Sequence, residues 1–191
     1  MLVHFDAFYS NGILESFLRM ISESQRTGEI SPEHFGLHFI NGHPDRRLIT
    51  SLQLRAMTTY SRTARSSRAQ AIARQRGSGI LFIQRAAGNG FIPDRFFRYL
   101  SLGKPVLALV PNPIVYHDRI PECYRVYVAD VREYVAMRDA FLRMYRDWLT
   151  ARTDEGKRIT VVPRDWVPQP NGPAGEVVKL TRAEEAAAVE S

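Results

Sequence analysis

The stretch GILFIQRAAGNGFIPDRFFRYLSLGKPVLALV, from Gly79 to Val110, limits the possible folds more than any other part of the chain. Ile80, Leu81, Phe82 and Ile83 form an unbroken apolar run, and Pro105 to Val110 ends in a second one. A strand with one wet face alternates apolar and polar residues, whereas a continuous run belongs to a strand covered on both faces by helices. Between the two runs, Arg85, Ala86, Ala87, Gly88, Asn89 and Gly90 make a polar, glycine-containing turn. Pro93 suits a first helical position, because the N–H it lacks has no acceptor there, and Gly103 lies where a left-handed residue ends a helix. The unit therefore reads as strand, loop, short helix, strand, and its loop-to-helix step is the place for an anion.

The rest of the chain supports this unit. Leu2–Tyr9 reads as a first strand, and Asn11 can cap a helix over 12–25 in which Ile13, Leu14, Phe17, Leu18 and Ile21 share one face. A strand over Phe35–Ile40 ends at Asn41-Gly42, and a helix over 45–56 precedes a strand over Met57–Ser61. Ser67 and Gln70 have capping-box spacing at the start of a helix that Gly77 stops near Arg76. Beyond Val110 the proline-bounded PNPIVYHDRIP reads as an irregular loop, Tyr124–Val128 as a sixth strand and 130–150 as the longest helix. From about Thr153 the chain turns Pro/Gly-rich, with a helix-prone TRAEEAAAVES at its end. The organisation expected is one domain over 1–152 and an extended tail over 153–191.

Strands alternating with helices imply right-handed crossovers and a doubly wound, mainly parallel α/β sheet with helices on both faces. In such a sheet the ligand crevice lies beyond the carboxyl ends of the strands, where the winding reverses. If the first and fourth strands flank the reversal, the crevice is built from Asp6–Asn11 and Arg85–Arg98.

Composition narrows the function classes. The net charge is +6, carried almost wholly by arginines scattered along the chain, with only Lys104, Lys157 and Lys179 as lysines. Guanidinium groups suit phosphate-bearing ligands, but the lack of a basic arm or stripe argues against a nucleic-acid binder. No apolar run approaches the roughly 20 residues that span a bilayer. Cys123 is alone, which excludes an internal disulfide and a multi-cysteine metal site. With an N-terminus lacking the parts of a secretion signal, this is compatible with a reducing cytoplasm. The five histidines, His4, His34, His38, His43 and His117, are dispersed, and none has a second ligand at metal spacing. His4 and His38 read as strand residues. Asp118, Glu122 and Cys123 lie near the presumed crevice without a partner for nucleophilic catalysis, and Tyr60, Ser61 and Arg62 sit where a base pocket or a surface turn is expected.

The run GFIPDRFFRYLSLGKPVLALV resembles the segment of GT-B type nucleotide-sugar glycosyltransferases in which a small-residue loop leads into a lysine-x-phenylalanine-glutamate-tyrosine-leucine helix and a glycine-x-proline-valine-leucine strand. Pro93, Phe97, Tyr99, Leu100, Gly103, Pro105, Val106 and Leu107 match, and Arg95 stands at the basic position. LVHFDAFYSNGILESFLRMI resembles the first strand and helix of the same C-terminal domain, and YSRTARSSRAQAIARQRGSGILFI its third strand, helix and fourth strand, so the resemblance covers about residues 2–150. It implies a Rossmann-like domain that holds a nucleotide-sugar as donor substrate for glycosyl (hexosyl) transfer, with no other cofactor. Arg85, Gly88, Asn89, Gly90 and Arg95, with the helix N-terminus at Pro93, are then the diphosphate-binding candidates.

Three departures bear on activity. The chain begins where the donor domain of the family begins, so transfer is expected only with a separate acceptor-binding subunit. The family's helix carries a glutamate for the ribose hydroxyls, and Arg98, with donors only, stands there. A glycine of the first-strand loop is replaced by Asp6, whose carboxylate repels diphosphate. Asp6 and Arg98 are therefore expected to meet in the old nucleotide site. Arg95 and Arg98, at i and i+3, are the alternative: a two-arginine clamp for another phosphate-rich ligand. A non-catalytic remnant or protein-interaction module is the alternative for the whole chain.

Overall fold

The computed structural model describes residues 2–5, 12–42, 44–64, 66–84, 91–121 and 124–153. In chain order the elements are β1 (Leu2–Phe5), α1 (Gly12–Arg26), β2 (Leu37–Ile40), α2 (Arg46–Ser51), β3 (Thr58–Ser61), α3 (Ser66–Arg76), β4 (Gly79–Ile83), α4 (Asp94–Leu100), β5 (Val106–Val110), α5 (Pro113–Arg119), β6 (Val126–Asp130) and α6 (Tyr134–Thr153). The strands form one sheet in the order β3-β2-β1-β4-β5-β6, and every pairing is parallel. The winding reverses between β1 and β4. This is the doubly wound α/β arrangement that the continuous apolar runs imply, and the sheet is wholly rather than mainly parallel.

Two cores explain why those runs do not alternate. On one face α1, α2 and α6 bury Phe17, Ile49 and Phe141 against Leu37, Phe39, Leu81 and Leu107. On the other, α3, α4 and α5 bury Ala73, Phe96 and Tyr116 against Val3, Ile80, Phe82 and Ala108. Consecutive residues of β4 and β5 point to opposite cores, so both parities must be apolar. α3 has small residues on its buried side, Ala69 and Ala73, which lets it lie close to β1. The covering helices are tied together by polar contacts at the surface, where Glu29 accepts from Arg138 and Glu23 from Tyr134 of α6.

Several boundaries move, each for a local reason. The helix expected over 45–56 stops at Ser51, because Gln53 adopts a φ of 58° and a 3-10 turn over Arg55–Met57 follows. Asp45 caps α2 by accepting from the Arg47 amide at 2.8 Å. Pro93 is the N-cap of α4, in extended conformation, rather than its first helical residue. Gly103 has the expected left-handed φ of 66°. The stretch PNPIVYHDRIP contains α5, whose buried Tyr116 is its anchor, and the proline at its start is a favourable first helical residue. The sixth strand lies two residues later than its sequence suggests and ends at Asp130, which delays α6 to Tyr134. Asp130 accepts from the amide and side chain of Arg132, whose guanidinium also reaches the Pro111 carbonyl, and this turn takes the place of a first helical turn. Asn41 supplies the expected turn at a φ of 62°, its amide donating to Ser61 O and its Oδ1 accepting from Thr63 N. Asn11, His43 and the tail from residue 154 onward lie outside the described residues.

His4 and His38 are strand residues, as expected. His4 is paired through Nδ1 with the Leu81 carbonyl at 2.9 Å. His38 is 1% exposed, with Nδ1 2.7 Å from Thr59 Oγ1 and Nε2 without a hydrogen-bond partner. Burial, and secondarily the charge of Arg76, holds its pKa below the ordinary 6.5. The unfolded chain therefore binds a proton that the native chain refuses, and the contribution of His38 to stability is complete above pH 6.5 and lost as the pH falls below it. A His38→Gln variant should show a shallower fall in urea stability between pH 7 and pH 5 than the parent, by a slope difference of at most about 1.4 kcal/mol per pH unit. Parallel pH curves would contradict a neutral, buried His38.

Candidate functional site at the carboxyl edge of the sheet

In a parallel sheet the carboxyl ends of all the strands lie at one edge, and in a doubly wound sheet the ligand is expected there, at the reversal of the winding. The described residues around the reversal come mainly from β4, α4 and α5. Arg95, on the first turn of α4, turns back towards the end of β4, where Nη2 donates to the Ile83 carbonyl at 3.0 Å and Cζ stands 5.2 Å from the Phe82 ring centroid. The guanidinium is thus fastened by a carbonyl and an aromatic face, with its charge at the carboxyl edge beside the β1–β4 reversal.

Beneath it lies an aromatic cluster. The Phe82 ring centroid is 5.0 Å from that of Phe96 and 5.8 Å from that of Tyr99, and Phe96 is 4.9 Å from Tyr116. Edge-to-face packing of these rings fixes α4 and α5 against β4, which fixes the position of Arg95. Gln84, directly after β4, is buried; its amide donates to Leu109 O at 2.9 Å and its Oε1 accepts from the Tyr116 hydroxyl. Burial pushes the Tyr116 phenol far above its ordinary pKa, with the charge of Arg95 offsetting part of the effect, so the hydroxyl remains a donor at every physiological pH.

Of the residues singled out from the sequence, Asp6, Arg85, Gly88, Asn89 and Gly90 lie outside the described residues, and so do Glu122 and Cys123. Arg95 and Arg98 share α4 one turn apart, but their surroundings differ. Arg95 is half-buried and bonded to the end of β4, whereas Arg98 is exposed on the last turn. Asp118 is exposed on α5, and Tyr60 ends up stacked on Phe39, centroids 5.9 Å apart. Gln84 and Tyr116 were not apparent as a pair from the sequence. A polar residue at the end of the run ILFI was the available signal for Gln84, whereas Tyr116 sat in a segment without helical periodicity.

Exposed apolar side chains among the described residues include Phe91 after β4, Ile114 after β5, and Tyr134 and Val135 after β6. Ile114 and Val135 are each 67% exposed. Asp130 and Arg132 close the carboxyl edge beyond β6, and the hydrogen bonds from Arg132 hold the Asp130 carboxyl below its ordinary pKa. Among the described residues no cluster of His, Cys, Asp and Glu could hold a metal ion, and no helix is long and apolar enough to cross a membrane.

Among the described residues, fold and edge together define a doubly wound α/β sheet whose winding reverses between β1 and β4, with Arg95 anchored beside the end of β4. No family model and no curated protein matches the sequence.

Proposed function

We propose that the chain is a nucleotide-sugar donor domain of the GT-B type, which holds the diphosphate of its ligand at the carboxyl edge between β1 and β4 and transfers a glycosyl group when a separate acceptor-binding subunit covers that edge. The observation that carries this reading is the anchored Arg95: its guanidinium is fixed at the reversal of a 3-2-1-4-5-6 parallel sheet, where a diphosphate is expected to lie. In this reading the sequence Arg85–Gly90, which precedes α4, supplies backbone donors. The exposed apolar side chains Phe91, Ile114 and Val135, each on a segment that follows a strand, are compatible with a covering subunit.

A second reading, a non-catalytic interaction module with a lost donor site, is favoured by the exposed Arg98 in the place of the family's ribose-binding glutamate. Calorimetric titration with nucleoside diphosphates and their sugars separates the two. The donor-domain reading expects binding by the wild type and at least a tenfold weaker Kd in Arg95→Ala, with urea stability measured on the same sample to exclude unfolding. Absence of binding in the wild type, with gain of binding when Asp6→Gly and Arg98→Glu are combined, rejects it in favour of the second. The Asp6–Arg98 meeting is read from the same pair: a charge contact predicts that reversing Arg98 alone destabilises the protein more than the double change does.

A further inference from the structure

A cavity of about 520 Å3 lies away from the carboxyl-edge crevice, between α2 and the edge strand β3, lined by Arg46, Ile49, Thr50, Arg55, Thr58 and Tyr60. That volume is in the range of small-ligand sites. Among the described residues β3 pairs with β2 alone, in the register Leu37 to Thr58 and Phe39 to Tyr60, so the cavity lies on the α1, α2 and α6 face of the sheet at its β3 side. Two strand spacings, roughly 10 Å, separate β3 from β1 and the crevice.

The lining has a definite chemistry. It contains two guanidinium groups and no carboxylate. Neither Arg46 nor Arg55 has a side-chain hydrogen bond or ion pair with another described residue, whereas Arg19, Arg132 and Arg138 are all paired. The nearby carboxylate, Asp45, is occupied with the Arg47 amide. The hydroxyl hydrogens of Thr50 and Thr58 go to main-chain carbonyls, Arg46 O at 2.9 Å and Leu54 O at 2.8 Å. The charged donors of the lining are therefore the two arginines. Tyr60 is held by stacking on Phe39 and offers a fixed aromatic wall. Burial raises the Tyr60 pKa while the charge of Arg46 opposes the rise, which places that charge within electrostatic reach of the ring.

We propose that this cavity binds a small organic phosphate, its phosphate between Arg46 and Arg55 and its carbon skeleton against Ile49 and Tyr60. Guanidinium groups bind phosphate oxygens bidentately, and a pair of them in a lining without a carboxylate favours a dianion over a neutral ligand. The site is independent of the donor-site reading, since it shares no residue with the β1–β4 crevice.

The test is an amide-resolved NMR titration of the full chain with phenyl phosphate, with inorganic phosphate and phenol as partial ligands. Expected are saturable shifts of amides within residues 46–60, weaker binding of inorganic phosphate, none of phenol, and a Kd raised at least tenfold in Arg46→Gln and in Arg55→Gln. Arg95→Ala should leave these values unchanged, so failure of the crevice and failure of this site are read separately. Shifts confined to residues near Gln84 to Arg98, or no saturable shift at all, would overturn the proposal. So would an equal loss in Arg26→Gln, an exposed arginine outside the cavity, because that reports diffuse charge instead of a site.

Discussion

Phe96→Ala is expected to lower the free energy of unfolding by about 3–5 kcal/mol, the range for truncating a buried phenylalanine. Phe96 is fully buried and stands between the rings of Phe82 and Tyr116. Removing it takes away apolar contact on both sides and leaves a void that β4, α4 and α5 can close only by moving together. Phe97, its neighbour on α4, is half-buried and should cost much less. Urea denaturation of the two variants checks this. If they lose equal stability, α4 is not docked through Phe96 and the position of Arg95 loses its support. In the proposed donor-domain reading the variant also links core to site: as the rings beneath Arg95 loosen, nucleotide affinity should fall along with stability.

The second large effect is at Gly77, immediately after α3. A Cβ at this position would lie 2.6 Å from the Ala73 carbonyl oxygen and 2.9 Å from Cγ2 of Val3. Neither neighbour can withdraw cheaply. The Ala73 carbonyl already accepts from the Gly77 amide at 2.8 Å, and Val3 is fully buried in the strand at the centre of the sheet. Gly77→Ala should therefore cost about 1–3 kcal/mol, as overpacking usually does. Gly12→Ala is the control, since a Cβ there meets nothing within 4 Å and the position is the first residue of α1. Thermal unfolding of both variants decides: a Gly77 variant as stable as the Gly12 variant would mean that α3 does not lie against β1.

Gly77 also shows how far sequence reasoning reaches. As a helix terminator it is recognisable from its place after SSRAQAIARQR, but the reason for a glycine is the approach of α3 to β1, two elements more than sixty residues apart along the chain. Arg95 is similar. Its match to the basic position of the donor-domain segment made it a diphosphate-binding candidate. Its bond to the Ile83 carbonyl and its stacking on Phe82 depend on how α4 is rotated against β4. The spacing of Arg95 and Arg98 suggested a shared role, yet the fold buries the surroundings of one and exposes the other. The Arg46 and Arg55 pair has no sequence signature, because a helix stop at Gln53 and a 3-10 turn bring the two side chains to one cavity.

The sequence by itself determined the layer architecture and the strand count of the described sheet. Apolar runs of both parities can be buried only between two helical layers, and strands joined through helices must run parallel with right-handed crossovers. Tertiary structure alone decided which cations are already engaged and which are left to a ligand. An arginine is long enough to choose among several acceptors, and that choice depends on which carbonyls and rings the packed elements bring within about 3–5 Å of it.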